Sequence, residues 1–588
     1  MKTPRIHSSG TLLFSRQCCL FASRLWLRQE LRDYRQLNRL AHTMATLPNL
    51  PLLSALSSHP PSKVAVIHNS SRKVFDYGSL LRDISRWRSV LRKLGSDATG
   101  KRIAIMGENS YQFLVCLLAA TSIPGTIAVP LCPSHTAPEI TYQLNDSDCC
   151  AIVTTNRFKE KLAALVDGRD FIVYEDVELP PSEAVTIAKD PSDAEETSGI
   201  ILYTSGTSGN PKGVVITNST LHAQASSLIK AWEIAPRDTI LHTLPLHHIH
   251  GILNALLVPL FVGATVVFQF PFAAGPVLSL LAHEDANAPE ITVYTAVPTV
   301  YARLSTLYRS LPSDRQVSIT DAIPKSLHLA MCGSAALPDP LRDGWAQLSG
   351  GHPQLLERYG MTEVGMALSQ PLKENERMSG SVGKPLPGVY ARLVDKDSLE
   401  VLYQAVGWQS EEWIAKKPEG DEQLLGEIEL SGPTIFKDYW RKPEATANSF
   451  VTEASSGRKW FRTGDIAGVD SAGRWWIKGR ESMDIIKSGG EKLSALEIER
   501  EILSVDGIAE CAVVGLPSAE WGQAVATVVV MQSNVEPITY EFLKAELKKR
   551  LAGYKIPKEL KVVEQIPRNQ MGKVNKKTLV KQVWPEKF

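Results

Sequence analysis

"SGIILYTSGTSGNPKGVVITNST", residues 198–220, sets a short apolar run against a loop of small hydroxyl-bearing residues, glycines and a single lysine. The run has the length and apolar density of a buried parallel strand. In the loop behind it, Gly206, Gly209 and Gly213 let backbone N–H groups turn inward. Thr204, Ser205, Thr207 and Ser208 add hydroxyl donors beside Lys212. Asn218 stands where it can cap the next helix. A loop of this kind suits phosphate. It is not a Walker loop, because Gly213 follows Lys212 and the glycine-to-lysine spacing is wrong. Taken alone, it reads equally well as a flexible Ser/Gly turn.

The same strand-like punctuation recurs on both sides. "KRIAIMGEN", "CCAIVTT", "FIVYE", "DTILHTLPL", "ATVVFQF", "PEITVYTAVPT" and "SLHLAMCGS" are short apolar runs ending in turn residues, usually with helical sequence between them. Such alternation predicts an α/β body of mainly parallel sheets covered by helices. Past about residue 470 the texture changes to a Gly-rich strand–loop–helix, two strands ("ECAVVGLP", "AVATVVVM") and the basic helix "YEFLKAELKKRLAGYKIP". That predicts a second, small α+β domain over residues 471–588, after a body spanning 44–470. A chain of 588 residues is long enough for two full cores.

Sixty-four basic against 63 acidic residues give no general electrostatic reason to bind nucleic acid. The charge is uneven, however. Residues 1–43 carry a net +6, and Arg24, Arg28, Arg32, Arg35 and Arg39 fall on one helical face. That is the pattern of an organelle transit peptide, read here as mitochondrial ahead of plastid, and Met44 offers a second start for a cytosolic form. The eight cysteines show no metal-like spacing and read as buried thiols in a reducing compartment. Two apolar stretches, from Phe113 and from Gly251, are long enough to suggest membrane spans. Each is broken, by Pro124-Gly125 and by Gly263, and then turns β-branched. A buried helix, a turn and a buried strand explain that order better.

Four further motifs bear on the loop at 203–214. They are "ERYGMTE" (357–363), "WFRTGDIA" (460–467), "KGRESMDIIKSGGEKLSALEIE" (478–499) and "PRNQMGKVNKK" (567–577). Five motifs in this order resemble those of the adenylate-forming superfamily of acyl-CoA synthetases, adenylation domains and luciferases, over nearly all of residues 50–580. The resemblance implies a large N-terminal domain with a β-subdomain and a small mobile C-terminal domain. It also implies activation of a carboxylate by ATP and magnesium, then transfer to a thiol.

Residue by residue, the resemblance assigns the β- and γ-phosphates to the Ser/Thr/Gly loop, with Thr204 and Thr207 as donors. Glu363 takes the magnesium ligand's place, with Thr204 near the metal, and Thr362 faces the α-phosphate. Tyr359 and Gly360 would flank adenine on one side, with Gly333 and Ser334 on the other. Asp465 would accept the ribose hydroxyls, helped by Arg480. Lys573 becomes the catalytic lysine, while its neighbours Lys576 and Lys577 read as solvated, with Asn575 as a helix cap. Gly489 and Gly490 permit close approach of a pantetheine arm, and Ser494 with Glu497 forms a capping box after them. The hinge is expected near Asp470, and the acceptor is coenzyme A.

For the acid, "LPLHHIHG" brings His248 and His250 to the family's acyl segment. "VPTVYARL" places Arg303 one helical turn into the next helix. Both segments look like those of the malonyl-CoA synthetases, whose arginine at this place grips the distal carboxylate of malonate. Methylmalonate adds only a methyl group and stays open. So do a ligase for a fatty or aromatic acid, a nucleotide-binding module without catalysis, and an adenylation partner of a separate carrier protein.

Overall fold

The computed structural model describes residues 45–588 apart from 95–97, 182–183, 205–209, 409, 421, 481–482, 489–490, 519, 533–534, 569–573 and 588. The strand that opened the sequence reading is Gly199–Thr204. It pairs parallel with Ile127–Pro130 and antiparallel with Lys212–Thr217. Five strands of this sheet are parallel neighbours, ending at Asp170–Val173 on one edge, and Asp438–Tyr439 closes the other edge.

A second sheet of nine strands has Leu355–Met361, Leu329–Cys332, Val293–Ala296, Thr239–His242, Thr265–Phe268 and Val64–His68 as its parallel run. One large apolar core joins the two sheets. Its helices include Tyr111–Thr121 and His250–Leu257, both buried almost all round. That burial answers the two apolar stretches: each is a core helix, a turn at a left-handed glycine (Gly125, φ 70; Gly263, φ 82) and a buried strand. No helix among the described residues is long and apolar enough to cross a membrane. Gly263 has a second reason to lack a side chain, since a Cβ there would lie 2.7 Å from the His59 ring.

Two local expectations change. Thr217, not Asn218, caps the helix Asn218–Trp232, because its extended backbone aims Oγ1 at the Thr220 N–H. Asn218 instead donates its amide to the carbonyls of Thr121 and Ala194, stitching the helix start to its neighbours. The sheet of the β-subdomain also runs past Asp470. Asp470 holds a tight turn through the N–H groups of Ala472 and Arg474, and Trp475–Arg480 then pairs back on Lys459–Asp470. The change of sheet therefore falls between Arg480 and Ile485.

The C-terminal sheet, from Ile485–Ser488 to Glu559–Val562, carries a core on each face. Ser494 caps the helix Ala495–Leu503 by accepting the Glu497 N–H. Glu497 completes only half of the expected box, because its carboxylate takes Lys555 at 2.6 Å. Asn575 caps Lys576–Val583 as expected. Lys576, however, is buried rather than solvated: its ammonium lies 2.7 Å from both Asp484 and Glu499. Lys577 is exposed. No disulfide forms among the described cysteines, of which Cys116, Cys132, Cys149 and Cys332 are buried.

Candidate active site

In the nine-stranded sheet the chain leaves Thr239–His242 toward Thr265–Phe268 on one side. It then returns to Val293–Ala296 on the other. Open parallel sheets bind ligands where the strand order reverses, outside the carboxyl ends of the strands. The ends gathered here are His242, Ala296, Cys332 and Met361. Every described residue expected in the site lies among the last residues of one of these strands, follows its end, or joins from the hairpin sheet or the β-subdomain.

On the phosphate side, Thr204 ends its strand and pairs with Lys212, the first residue of the returning one. The Lys212 ammonium sits 4.2 Å over the Tyr439 ring, a cation–π contact that fixes its long side chain. Tyr439, on the two-residue edge strand, donates its hydroxyl to Oε1 of Glu363 at 2.9 Å. A chain of contacts thus links the loop strand to the "ERYGMTE" turn. Glu363 is buried in that turn, where Val364 N–H closes back on the Met361 carbonyl, and Thr362 is half-buried beside it. Glu363 Oε2 accepts no hydrogen bond among the described residues, which leaves an oxygen free for a hard cation.

The nucleoside side is built by three strands. Tyr359 donates to Oδ2 of Asp465 at 2.6 Å, and Arg480 Nε donates to Oδ1 at 3.2 Å, the two residues facing each other in strand register. Burial raises the Asp465 pKa, only partly offset by Arg480 and Tyr359. For Arg480, burial works against the charge, but the carboxylates of Asp465 and Glu363 outweigh it and raise its pKa. Burial and the Asp465 charge hold the Tyr359 hydroxyl far above its usual range, so it remains a donor. Gly360 has no room for a side chain, since a Cβ would meet the Gly365 carbonyl at 2.1 Å. Gly333 faces Arg358 in the same way, and Ser334 takes a left-handed φ of 72°.

On the acid side, His250 is fully buried. Its Nε2 touches the Arg358 guanidinium and lies 2.7 Å from the Thr295 hydroxyl, while Nδ1 is 3.4 Å from Ser334 Oγ. A guanidinium can only donate, so Nε2 must be the acceptor and the proton sits on Nδ1. Burial, then the Arg358 charge, pushes the His250 pKa well down, and the ring is neutral. His248 is half-buried next to His247, ring centroids 4.3 Å apart. Arg303 is exposed on the helix Pro298–Ser310, 5.9 Å from the Phe272 ring, and makes no ion pair with a described residue. The hydrogen-bond partners of His250 among the described residues do not include it.

Ser205, Gly206, Thr207, Ser208, Gly209, Gly489, Gly490 and Lys573 lie outside the described residues. Three residues of the site were missed in sequence. Tyr439 carried no local signal, and Thr295 read only as strand. Arg358 did carry one: it is a charge in the middle of a strand with an apolar start, "LLERYGM".

Known proteins resemble the chain along nearly its whole length. The AMP-binding enzyme family matches residues 54–440, and the AMP-binding enzyme C-terminal domain matches 497–573. A CoA ligase of Gibberella moniliformis is 43% identical over 90% of this chain and 94% of its own. The mitochondrial malonate–CoA ligase of Mus musculus is 39% identical over 88% of this chain and 87% of its own. Among solved structures, ATP-bound MatB from Rhodopseudomonas palustris superposes with a TM-score of 0.75 at 31% identity, covering 91% of this chain and 98% of that one.

Proposed function

The chain belongs to the AMP-binding enzyme family and is an AMP-forming acid–CoA ligase, and from that premise we propose that its acid is malonate. A malonate oxygen attacks the α-phosphorus of ATP, the bond to the β-phosphate breaks, and malonyl-AMP and pyrophosphate form. The coenzyme A thiol then attacks the acyl carbon, and AMP leaves as malonyl-CoA is made.

The first step gathers negative charge on phosphoryl oxygens, so the protein's work is to position and neutralise it. Thr204 and Lys212 flank the β- and γ-phosphates together with the Ser205–Gly209 loop. Asp465, still an acceptor on both oxygens, takes the ribose with Arg480 at its side, and Tyr359 stands by the base. Thr362 donates to the α-phosphate. No cluster of three or more His, Cys, Asp or Glu among the described residues could hold a metal alone. One carboxylate, Glu363, fits a magnesium ion held largely by substrate phosphates, and bound there it would neutralise phosphate charge. Lys573 bridges the phosphoryl and carboxylate charges. The segment between Arg480 and Ile485 is the pivot on which the small domain exchanges Lys573 for the Gly489-Gly490 loop. Residues 1–43 direct the chain to mitochondria.

The observation that carries malonate over a fatty acid is the chemistry of the acid site. We take His250, paired with Thr295 and Ser334, as the polar wall of the acid site, and Arg303, which makes no ion pair with a described residue, as its cation. An alkyl chain would set apolar surface against this polar cluster and offer the Arg303 guanidinium no counter-charge, which a second carboxylate supplies. Pyrophosphate release by the chain started at Met44 tests the reading, with ATP, magnesium, coenzyme A and malonate, methylmalonate, succinate, acetate, octanoate or a cinnamate. Strong release with malonate, lost in Arg303→Ala, is expected. Preference for octanoate or the cinnamate would overturn malonate and leave the ligase chemistry intact.

A further inference from the structure

The helix Ala495–Leu503 follows the hairpin that opens the small domain, and one side of it looks back at the large domain. Steps of three residues bring Ser494, Glu497 and Arg500 along that side. Ser494 donates to the Lys478 carbonyl at 2.5 Å, across the pivot. Arg500 reaches further. Its guanidinium occupies the space that a side chain at Gly380 would need, and Gly380 sits at a left-handed φ of 75°. The Gly380 N–H donates to Oε1 of Glu357 at 3.1 Å. One glycine of the large domain thus serves a buried carboxylate with its amide and makes room for a cation of the small domain with its bare Cα.

The large-domain surface under Arg500 is itself braced. Arg342, on the helix Asp339–Leu348, pairs with Glu357 at 2.5 Å, and Ser379 donates to Asp339 at 2.7 Å. Glu357 lies two residues before Tyr359 on the same strand, so the surface is continuous with the nucleoside grip. Arg500 Nε is buried and has no hydrogen-bond partner among the described residues. Glu357 across the boundary and Glu501 beside it both feel its charge, which opposes the effect of burial on each. A flat, weakly hydrated guanidinium suits such a seat better than an ammonium would. Rotation about the pivot would carry the helix away from Gly380, so the seat and the attraction to Glu357 exist in one orientation. An interaction made in only one of two states biases the equilibrium between them.

We propose that Arg500 is a positioning residue for the two-step reaction, which holds the small domain in one of its two working orientations by lodging over Gly380 and Glu357. It touches neither substrate nor the reacting atoms. Its effect is on how the chain divides its time between adenylation and thioester formation. This rests on the reading above, in which the small domain exchanges Lys573 for the Gly489-Gly490 loop.

The test measures the two half-reactions separately on the full chain. Malonate-dependent exchange of pyrophosphate into ATP without coenzyme A reads the first, and malonyl-CoA formed from synthetic malonyl-adenylate and coenzyme A reads the second. If another acid wins the panel above, it takes malonate's place in both. Arg500→Ala is expected to lower one half-reaction by about tenfold while the other stays within about twofold. Arg500→Lys should recover part of the loss, since it keeps the charge without the flat fork. Gly380→Ala, on the opposite domain, should give the same split, and it stands in for Arg500→Ala if that variant fails to fold. Combined with Arg500→Ala it should add little, because the guanidinium it displaces is already gone. Equal losses in both half-reactions, no loss in either, or losses that multiply in the double variant would overturn the proposal. Lys573→Ala tests the reading beneath it and should abolish the exchange while sparing the thioester step. If Lys573→Ala splits the half-reactions and Arg500→Ala does not, the role of Arg500 falls alone. If Lys573→Ala disables both alike, the exchange of loops about the pivot falls with it.

Discussion

The Tyr359 hydroxyl lies 2.6 Å from Oδ2 of Asp465, a residue 106 positions further along the chain. The pair ties the end of a strand in the nine-stranded sheet to the antiparallel β-subdomain, and Arg480 holds the other carboxylate oxygen. In the nucleotide site proposed above, a nucleoside would meet an acceptor already fixed in place, so little ordering would remain for binding to impose.

Removing the charge should therefore cost more than removing the donor. Asp465→Asn is expected to raise the KM for ATP by on the order of tenfold or more, since it also strips Arg480 of its partner. Tyr359→Phe, losing one hydrogen bond, should raise it about fivefold. Steady-state pyrophosphate release at saturating malonate measures both. An unchanged KM for ATP in Asp465→Asn would remove this carboxylate from the nucleotide site.

Glu363 and Tyr439 make a second separable pair. Glu363→Gln keeps the shape and an acceptor oxygen but loses the charge that a magnesium ion needs. Its kcat for pyrophosphate release should fall at least about a hundredfold. Tyr439→Phe removes one hydrogen bond to that carboxylate and loosens the contact under Lys212, so a loss of about tenfold or less is expected. Titration with magnesium separates the roles: Tyr439→Phe should recover activity at high magnesium and Glu363→Gln should not. A Glu363→Gln enzyme restored by magnesium would contradict this assignment.

Much of this was legible in the sequence because the relevant forces are local. Gly199–Thr204 ends where its loop glycines begin, and the two apolar stretches fold at Gly125 and Gly263 as their punctuation indicates. The hidden features depend on partners far away in the chain. Tyr439 reaches Glu363 through a two-residue strand with no pattern of its own. Asp470 looks like a boundary because it sits in a turn, and only the pairing of Trp475–Arg480 shows that the sheet continues. Arg358 could have been noticed, since a charge in a buried strand demands a reason.

Lys576 shows why neighbouring lysines cannot be read together. Local sequence gives it the same status as Lys577, yet two acids from elsewhere in the domain draw it inside. Glu499 is half-buried in the same network, where it also accepts the Val513 N–H at 2.8 Å. Burial lowers the charge on Lys576, but Glu499 and Asp484 outweigh it and raise its pKa to about 12. Lys576→Met leaves two carboxylates without their counter-ion and should destabilise the C-terminal domain by about 3–5 kcal/mol. Lys577→Ala should change it by less than about 0.5 kcal/mol. Hydrogen exchange of peptides spanning residues 508–531 reads the domain directly. Equal protection in both variants would show that the buried network contributes nothing.

Glu357 supplies a pH signature. Burial pushes its pKa up to about 7, against the opposing pull of Arg342, the Gly380 N–H and Arg500. Unfolded, the same carboxyl titrates near 4.5. Between these values the native chain holds a proton that the unfolded chain has released, so the native state binds more protons and its stability falls as pH rises. The contribution is fully present below about pH 4.5 and gone above about pH 7, and amounts to at most about 3 kcal/mol. Glu357→Gln cannot titrate. The difference in unfolding temperature between wild type and Glu357→Gln, followed from pH 4.5 to 7.5, should therefore shift against wild type by several degrees as pH rises. A constant difference would place the Glu357 pKa near its ordinary value and make the Arg342 contact the stronger influence on it.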